Sequence, residues 1–161
     1  MKTRGINQSL IRKIAVAMNS DVLLELLQES TMTLATSGVG GEPHAAAVFF
    51  AADEDMRLYF FSDPESQHGQ DLLRDPRAGI SFYPQNQDWQ GIRGVQMRGE
   101  VRQVKKGLQW ESAWGVYAAK FPFVRELKAI VSQNSLYVFV PNWVRLVDNT
   151  RGFGFKQEWT P

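Results

Sequence analysis

The stretch Phe61–Ala78, FSDPESQHGQDLLRDPRA, decides how the chain is read, because a strand-like run ends there and a short polar helix begins. Just upstream, RLYFF at Arg57–Phe61 has the aromatic density of a strand. Asp63 is the predicted N-cap and Pro64 the first helical residue, where proline sacrifices no needed N–H. The free N–H groups of such a helix start carry roughly half a positive charge in aggregate, and Ser66 and His68 stand beside them. Two readings follow: a cradle for an anion such as a phosphate, or a terminus already satisfied by Asp63 and Glu65.

Outward from this segment the pattern is one of short strands. TMTLATS at 31–37, the turn GVGGEP, HAAAVFFAA at 44–52 and a polar turn at Asp53 to Asp55 lead into RLYFF as a meander. After the short helix, AGISFY and GIRGVQMRGEVRQV read as further strands, with Gly94 and Gly99 as kink or bulge positions. A helix is predicted from Lys106 to about Lys120, a break around Pro122, and a second helical piece over Val124 to Val131. SLYVFV and WVRLVDN read as two closing strands separated by a turn at Pro141 and Asn142. Ahead of the strands, Leu10, Ile14 and Met18 share one helical face, and a second helix capped by Ser20 presents Val22, Leu23, Leu26 and Leu27 as its buried stripe. The expected architecture is mainly β with α, a small antiparallel Greek-key barrel of six to seven strands with helices packed outside it. One domain is expected over residues 1–161: N-terminal helices over 1–30, a barrel core over 31–104, a helical insertion over 105–132, and closing strands with a tail over 133–161.

Composition narrows the chemistry. Net charge is +1, which supplies no basic field for nucleic acid. The absence of cysteine removes disulfides, thiolate metal sites and thiol nucleophiles together, and two histidines leave little for a metal centre. Near the N-terminus Arg12 and Lys13 interrupt the apolar run, so neither a signal peptide nor a membrane span is expected, and a cytoplasmic protein is. Aromatics at 12% suit a pocket for a flat ligand and a β-rich core equally well. No Ser–His–Asp constellation or carboxylate pair stands out, so no catalytic residue is assigned.

Two motifs carry a family resemblance: Ser66, Gln67, His68 with Asp75, Pro76 at either end of the short helix, and RGVQMRG over Arg93 to Gly99. In these the chain resembles the pyridoxamine 5′-phosphate oxidase superfamily, the flavin mononucleotide (FMN)-binding split barrels, over roughly 31–104. IRGVQMRGEV, KFPFV and VDNTRGFGFKQEW resemble the YhbP-type branch, in which a histidine also replaces the lysine of the oxidases.

The resemblance implies a homodimeric split β-barrel that binds FMN between subunits and acts as an oxidoreductase on a small molecule. It implies flavin contacts from Ala46, Ala47 and Val48, from Ser62, Ser66, Gln67 and His68, and from Arg93 and Gln96 across a subunit boundary. This sequence departs from the oxidases at Ala46 and Ala51, where they carry an arginine and a lysine, and it lacks their C-terminal arginine and leucine motif. Pyridoxamine phosphate oxidation itself is therefore not expected. Two alternatives stand beside flavin: a cofactor-free binding or sensing barrel, and a haem-binding variant with His44 as axial ligand. Asp148, Asn149, Gly152, Gly154 and Trp159 lie in a tail that reads as a pocket cover or a dimer strap, and Trp110 and Trp114 as core or interface residues.

Overall fold

The computed structural model describes residues 21–161, so the helix expected around Leu10–Met18 and its Ser20 neighbour lie outside the described residues. Helix α1 (Val22–Leu26) begins after Asp21, whose side chain makes no capping bond, and it buries Leu23, Leu26 and Leu27. Eight strands follow: β1 (Thr31–Ser37), β2 (Pro43–Phe49), β3 (Ala51–Ala52), β4 (Leu58–Ser62), β5 (Arg77–Phe82), β6 (Arg93–Gln103), β7 (Ser135–Asp148) and β8 (Lys156–Trp159). Helix α2 (Gln67–Arg74) joins β4 to β5. Helix α3 (Leu108–Lys120), a 3₁₀ turn at Pro122–Arg125 and α4 (Lys128–Gln133) form the insertion between β6 and β7.

The sheet order is β2-β1-β5-β6-β7-β4-β3, antiparallel at every pairing, with β8 added to β7. β1 shows why: its side chains alternate, with Met32 and Leu34 facing a closed core and Thr31, Thr33 and Ala35 facing out. β2 and β3 are one run interrupted at Phe50, so the same segment pairs with β1 at one edge and with β4 at the other. Phe50 is fully buried, its N–H donates to Ser30 O at 3.1 Å, and its ring lies 4.9 Å from that of Phe82. β2 thus comes to lie beside β4 with no ladder between them, leaving a seam in the curled sheet. One apolar cluster fills the inside of the curl; a second, with Tyr59, Tyr117, Phe121 and Leu136, holds the insertion against the outside of β3 and β4. Trp110 and Trp114 stack at 5.6 Å on the margin of that second cluster. Lys120 Nζ closes the junction by donating to Leu27 O and Glu29 O while sitting 4.1 Å above the Phe50 ring.

Two expectations are corrected. Among the described residues the sheet has eight strands rather than six or seven, because the tail returns as β8 and the second run divides at Phe50, while the two closing runs merge into β7. Pro141 and Asn142 make no turn: β7 continues through them, opposite Arg98 and Gly99, and the register shift there absorbs Asn142 as an extra residue. Proline lacks the N–H for a regular ladder, and a bulge tolerates it as a turn would. Within the tail, Lys156–Trp159 pairs with Val144–Val147 and Trp159 packs on the main core, while Asn149, Gly152 and Phe153 line a hollow with Trp89.

At the bulge, a Cβ on Gly99 would fall 2.2 Å from the main-chain oxygen of Val140 and 2.8 Å from the Phe139 ring. Gly99→Ala is expected to cost about 3 kcal/mol, the upper end of overpacking, whereas Gly115→Ala in α3, where a Cβ meets open space, should add about 0.5–1 kcal/mol. Urea unfolding of the two variants beside the parent measures both; equal midpoints for the pair would contradict the geometry of the bulge.

Candidate functional site

Where β2 and β4 part, a cleft of about 410 Å³ opens. Its floor is Ala47, Val48 and Phe49 from β2 with Phe61 and Ser62 from β4; its wall is Tyr117, Phe123, Val124, Leu127, Ile130 and Val131 from the insertion; His68 and Asp63 stand at one end and Asn134 completes the rim. The outward row of β2 carries small side chains until Phe49, so a flat ligand can approach the strand backbone closely.

The polar end is built by the β4–α2 connection, and the helix starts later than Asp63. Asp63 accepts the Glu65 N–H on its side chain at 2.8 Å and the Ser66 N–H on its carbonyl at 3.0 Å, which folds residues 63–66 into a turn. Ser66 then takes extended φ/ψ and caps α2, its Oγ accepting from Gly69 N at 3.2 Å. The turn lies on the first turn of the helix so closely that a Cβ at Gly69 would meet Pro64 O at 2.5 Å. Ser66 is the cap because the Asp63 carboxylate is already engaged by the turn.

Ser62 Oγ lies 2.5 Å from His68 Nε2, sharing a hydrogen bond with it, and 3.5 Å from Ser66 Oγ. The His44 ring of β2 stacks parallel to that of His68, centroids 6.1 Å apart. Burial, followed by the proximity of His44, pushes the His68 pKa below its ordinary value, against the opposing pull of Asp71 and Asp63.

Gln67, expected beside His68, turns the other way and donates to Asp71 Oδ1 at 2.8 Å. Asp71 is fully buried and also accepts from Thr36 Oγ1 of β1 at 2.9 Å and Arg74 at 2.7 Å. Burial works to raise its pKa, yet the bonds from Thr36 and Gln67 and the Arg74 guanidinium outweigh it and hold the carboxyl below its usual value. This acid fixes α2 to β1 and so sets where His68 points. Its role is hidden in the sequence, because an aspartate in mid-helix reads as surface and its β1 partner lies 35 residues away.

Ala46 sits in β2 opposite Leu34 but off the cleft lining, and Ala51 is buried in the second cluster. Arg93 and Gln96 line a separate cleft of about 480 Å³ with Tyr83, Pro84 and Ile92, which shares no residue with the first. There Arg93 pairs with Glu25 at 3.2 Å and Gln96 accepts from Arg145 at 3.3 Å. Asn149 ties the tail to the 88–91 loop through Trp89 O at 2.8 Å and Gly154 N at 2.9 Å, and Trp89 and Phe153 meet edge to face there, lining a hollow apart from both clefts. Among the described residues no lysine or arginine lines the seam cleft, and no group of three or more histidine and carboxylate side chains could hold a metal ion. No helix among them is long and apolar enough to cross a membrane.

The split sheet with its polar helix start agrees with the sequence comparisons. A profile of the pyridoxamine 5′-phosphate oxidase family matches residues 20–148. The chain belongs to that family. A UPF0306 protein of Serratia proteamaculans is 32% identical over 136 residues, 84% of this chain and 90% of the relative. The UPF0306 protein YhbP of Escherichia coli is 31% identical over 122 residues, 74% of this chain and 78% of YhbP, which places the chain with the YhbP-type branch. Among solved structures, a haem-binding protein from Mycobacterium smegmatis superposes with a TM-score of 0.70 at 23% identity, over 99% of this chain and 60% of that one, and shares the fold.

Because folding lowers the His68 pKa, protonation favours the unfolded chain. The stability tied to neutral His68 is present above about pH 6.5, the unfolded value, and is lost as pH falls through the lower folded one. Melting temperatures at pH 7.5 and pH 5 should therefore differ more for the parent than for His68→Gln; an equal drop in both would show that His68 does not titrate in this way.

Proposed function

We propose that the chain binds a flavin, FMN in particular, in the seam cleft and works as an oxidoreductase on a small molecule. The observation that carries this is the cleft itself: a largely apolar slot where β2 and β4 lie side by side without pairing to each other, ending in Ser62 and His68 with Ser66 3.5 Å from Ser62. The donor set suits a tricyclic ring along Ala47–Phe49, with its phosphate at the α2 start. The Ser62 hydroxyl and the His68 imidazole can donate to a phosphate there, the Ser66 hydroxyl already donating to Asp63 O at 2.6 Å, and His68 alone among them can add a positive charge. When bound, a flavin would supply the hydride chemistry, and the protein its orientation and access.

Arg93 and Gln96 enter this reading only if a second copy brings them to the cleft, which makes the proposed unit a homodimer. A second reading, haem in the same cleft, is favoured by the stacked His44–His68 pair and by the fold shared with a haem-binding protein. His68, which lines the cleft, would hold the iron, with His44 stacked beside it. Titration with FMN, riboflavin and haemin, followed by their visible spectra, separates the two; saturable binding of haemin alone would overturn the flavin reading.

His68→Ala should weaken FMN by about 1.5–3 kcal/mol, the worth of a hydrogen bond to a charged group, and leave riboflavin, which has no phosphate, nearly unchanged. FMN affinity should also fall as pH rises through the ligand-bound pKa of His68, since a phosphate raises that pKa and deprotonation removes the charge. Above about pH 6 the phosphate is already mostly a dianion and does not mimic that loss. Calorimetric titration from pH 6 to 8.5 measures both effects; identical FMN affinity for parent and variant would place the phosphate elsewhere.

A further inference from the structure

A hollow of about 720 Å³ is lined by the start of α3 together with β4, β6 and β7, and it shares no residue with the seam cleft or with the cleft of Arg93 and Gln96. Strand register builds its floor. Tyr59 of β4 and Arg102 of β6 both stand opposite Val138 of β7, so three neighbouring strands place a tyrosine, a valine and an arginine in one row. Val140, two residues along β7 on the same face, and Val104 extend the apolar strip. Leu108, the first residue of α3, stands at the edge of the hollow 90% exposed, a large apolar side chain that folding leaves in water. Arg102 and Lys105 line the same hollow, exposed and in no ion pair among the described residues. Arg57, by contrast, is held by Asp53 at 2.7 Å and Asp55 at 3.1 Å. Among the described residues no aspartate or glutamate lines the hollow, and residues 1–20 contain none, so the charges of Arg102 and Lys105 stay available to a ligand.

These features suit the two ends of one molecule. A small inorganic anion would meet the cations and leave the valines and Leu108 wet, and a plain hydrocarbon would cover the valines and leave the cations without a partner. We propose that the hollow binds an amphipathic anion, a single carboxylate on an unbranched apolar chain, as in a medium-chain fatty acid. The chain lies along Val138 and Val140 beside Leu108, and the carboxylate meets Arg102 and Lys105. The hollow is within the range of small-molecule sites, about 300–1,000 Å³. Walled by a helix on one side and a sheet on the other, it takes a single chain rather than the flat surface of a bilayer. The inference does not rest on the flavin reading, since the two sites have no residue in common.

Decanoate, decanol and decyltrimethylammonium share one chain and differ in charge. Each is titrated by calorimetry into the full chain at pH 7, below its micelle concentration. Decanoate should bind about tenfold more tightly than decanol, since two exposed ion pairs contribute up to a factor of about five each, and the ammonium should bind most weakly. Acetate, which has the charge without the chain, should give no measurable binding. Arg102→Gln combined with Lys105→Gln should bring decanoate to within about twofold of decanol. Leu108→Ser should weaken decanoate and decanol alike, by about three- to tenfold. All three positions are exposed, and circular dichroism verifies that the variants are folded. Equal affinity for decanoate and decanol, no binding of decanoate, a preference that survives the double variant, or full affinity in Leu108→Ser would overturn the inference. Binding of phosphatidylglycerol vesicles without any binding of decanoate would assign Leu108 and the two cations to a membrane surface, and would overturn it as well.

Discussion

Phe50 is the point on which the rest of the molecule depends. The run HAAAVFFAA is long enough to pair with β1, and its last two residues pair with β4 at the far edge of the same sheet. Burying Phe50 between the two halves, with its N–H on Ser30 O, bends one segment so that it closes the curl through the covalent chain. Hydrogen bonds do not complete the closure, so β2 and β4 lie side by side with their facing edges unpaired. A seam of that kind leaves a sheet edge that another element can cover. The insertion after β6 does part of this with Tyr117, Phe121 and Val124, and what it leaves open is the candidate site.

Chemistry enters this opening from the β4–α2 connection. β4 ends at Ser62, the Asp63 turn reverses the chain, and α2 delivers His68 back onto Ser62. Asp71, one turn further along, holds the helix by Thr36 of β1. The position of His68 is therefore fixed from a strand on the other side of β2, and its pKa is depressed by the burial that this packing imposes. The result is a polar end with adjustable charge rather than a fixed one.

The strand pattern was readable because alternation is local: TMTLATS has the bounds of β1, and Gly99 marks the bulge it was expected to mark. The family was readable from the Ser66–His68 with Asp75–Pro76 and the Arg93–Gly99 motifs, and the branch from IRGVQMRGEV, KFPFV and VDNTRGFGFKQEW. Other features depended on partners distant in sequence. Pro141 reads as a turn until Gly99 is known to lie opposite, and Asp63 reads as a cap until its carboxylate is seen bound to Glu65 N. Ser62, Ser66 and His68 lie together at the β4–α2 connection, and Ala47 and Val48 line the same cleft as Ser62 and His68. Gln67 does not join them, since nothing in its spacing reveals that Asp71 is buried, and Arg93 and Gln96 open onto a different cleft.

The central claim is that the seam between β2 and β4 is a cofactor site oriented by His68. A crystal structure of the protein grown with FMN tests it most directly. The expected result is electron density for the ring system along Ala47–Phe49 and for the phosphate within hydrogen-bonding distance of Ser66 and His68. Density for the flavin in the cleft of Arg93 and Gln96 of the same protomer, with the seam empty, would contradict it.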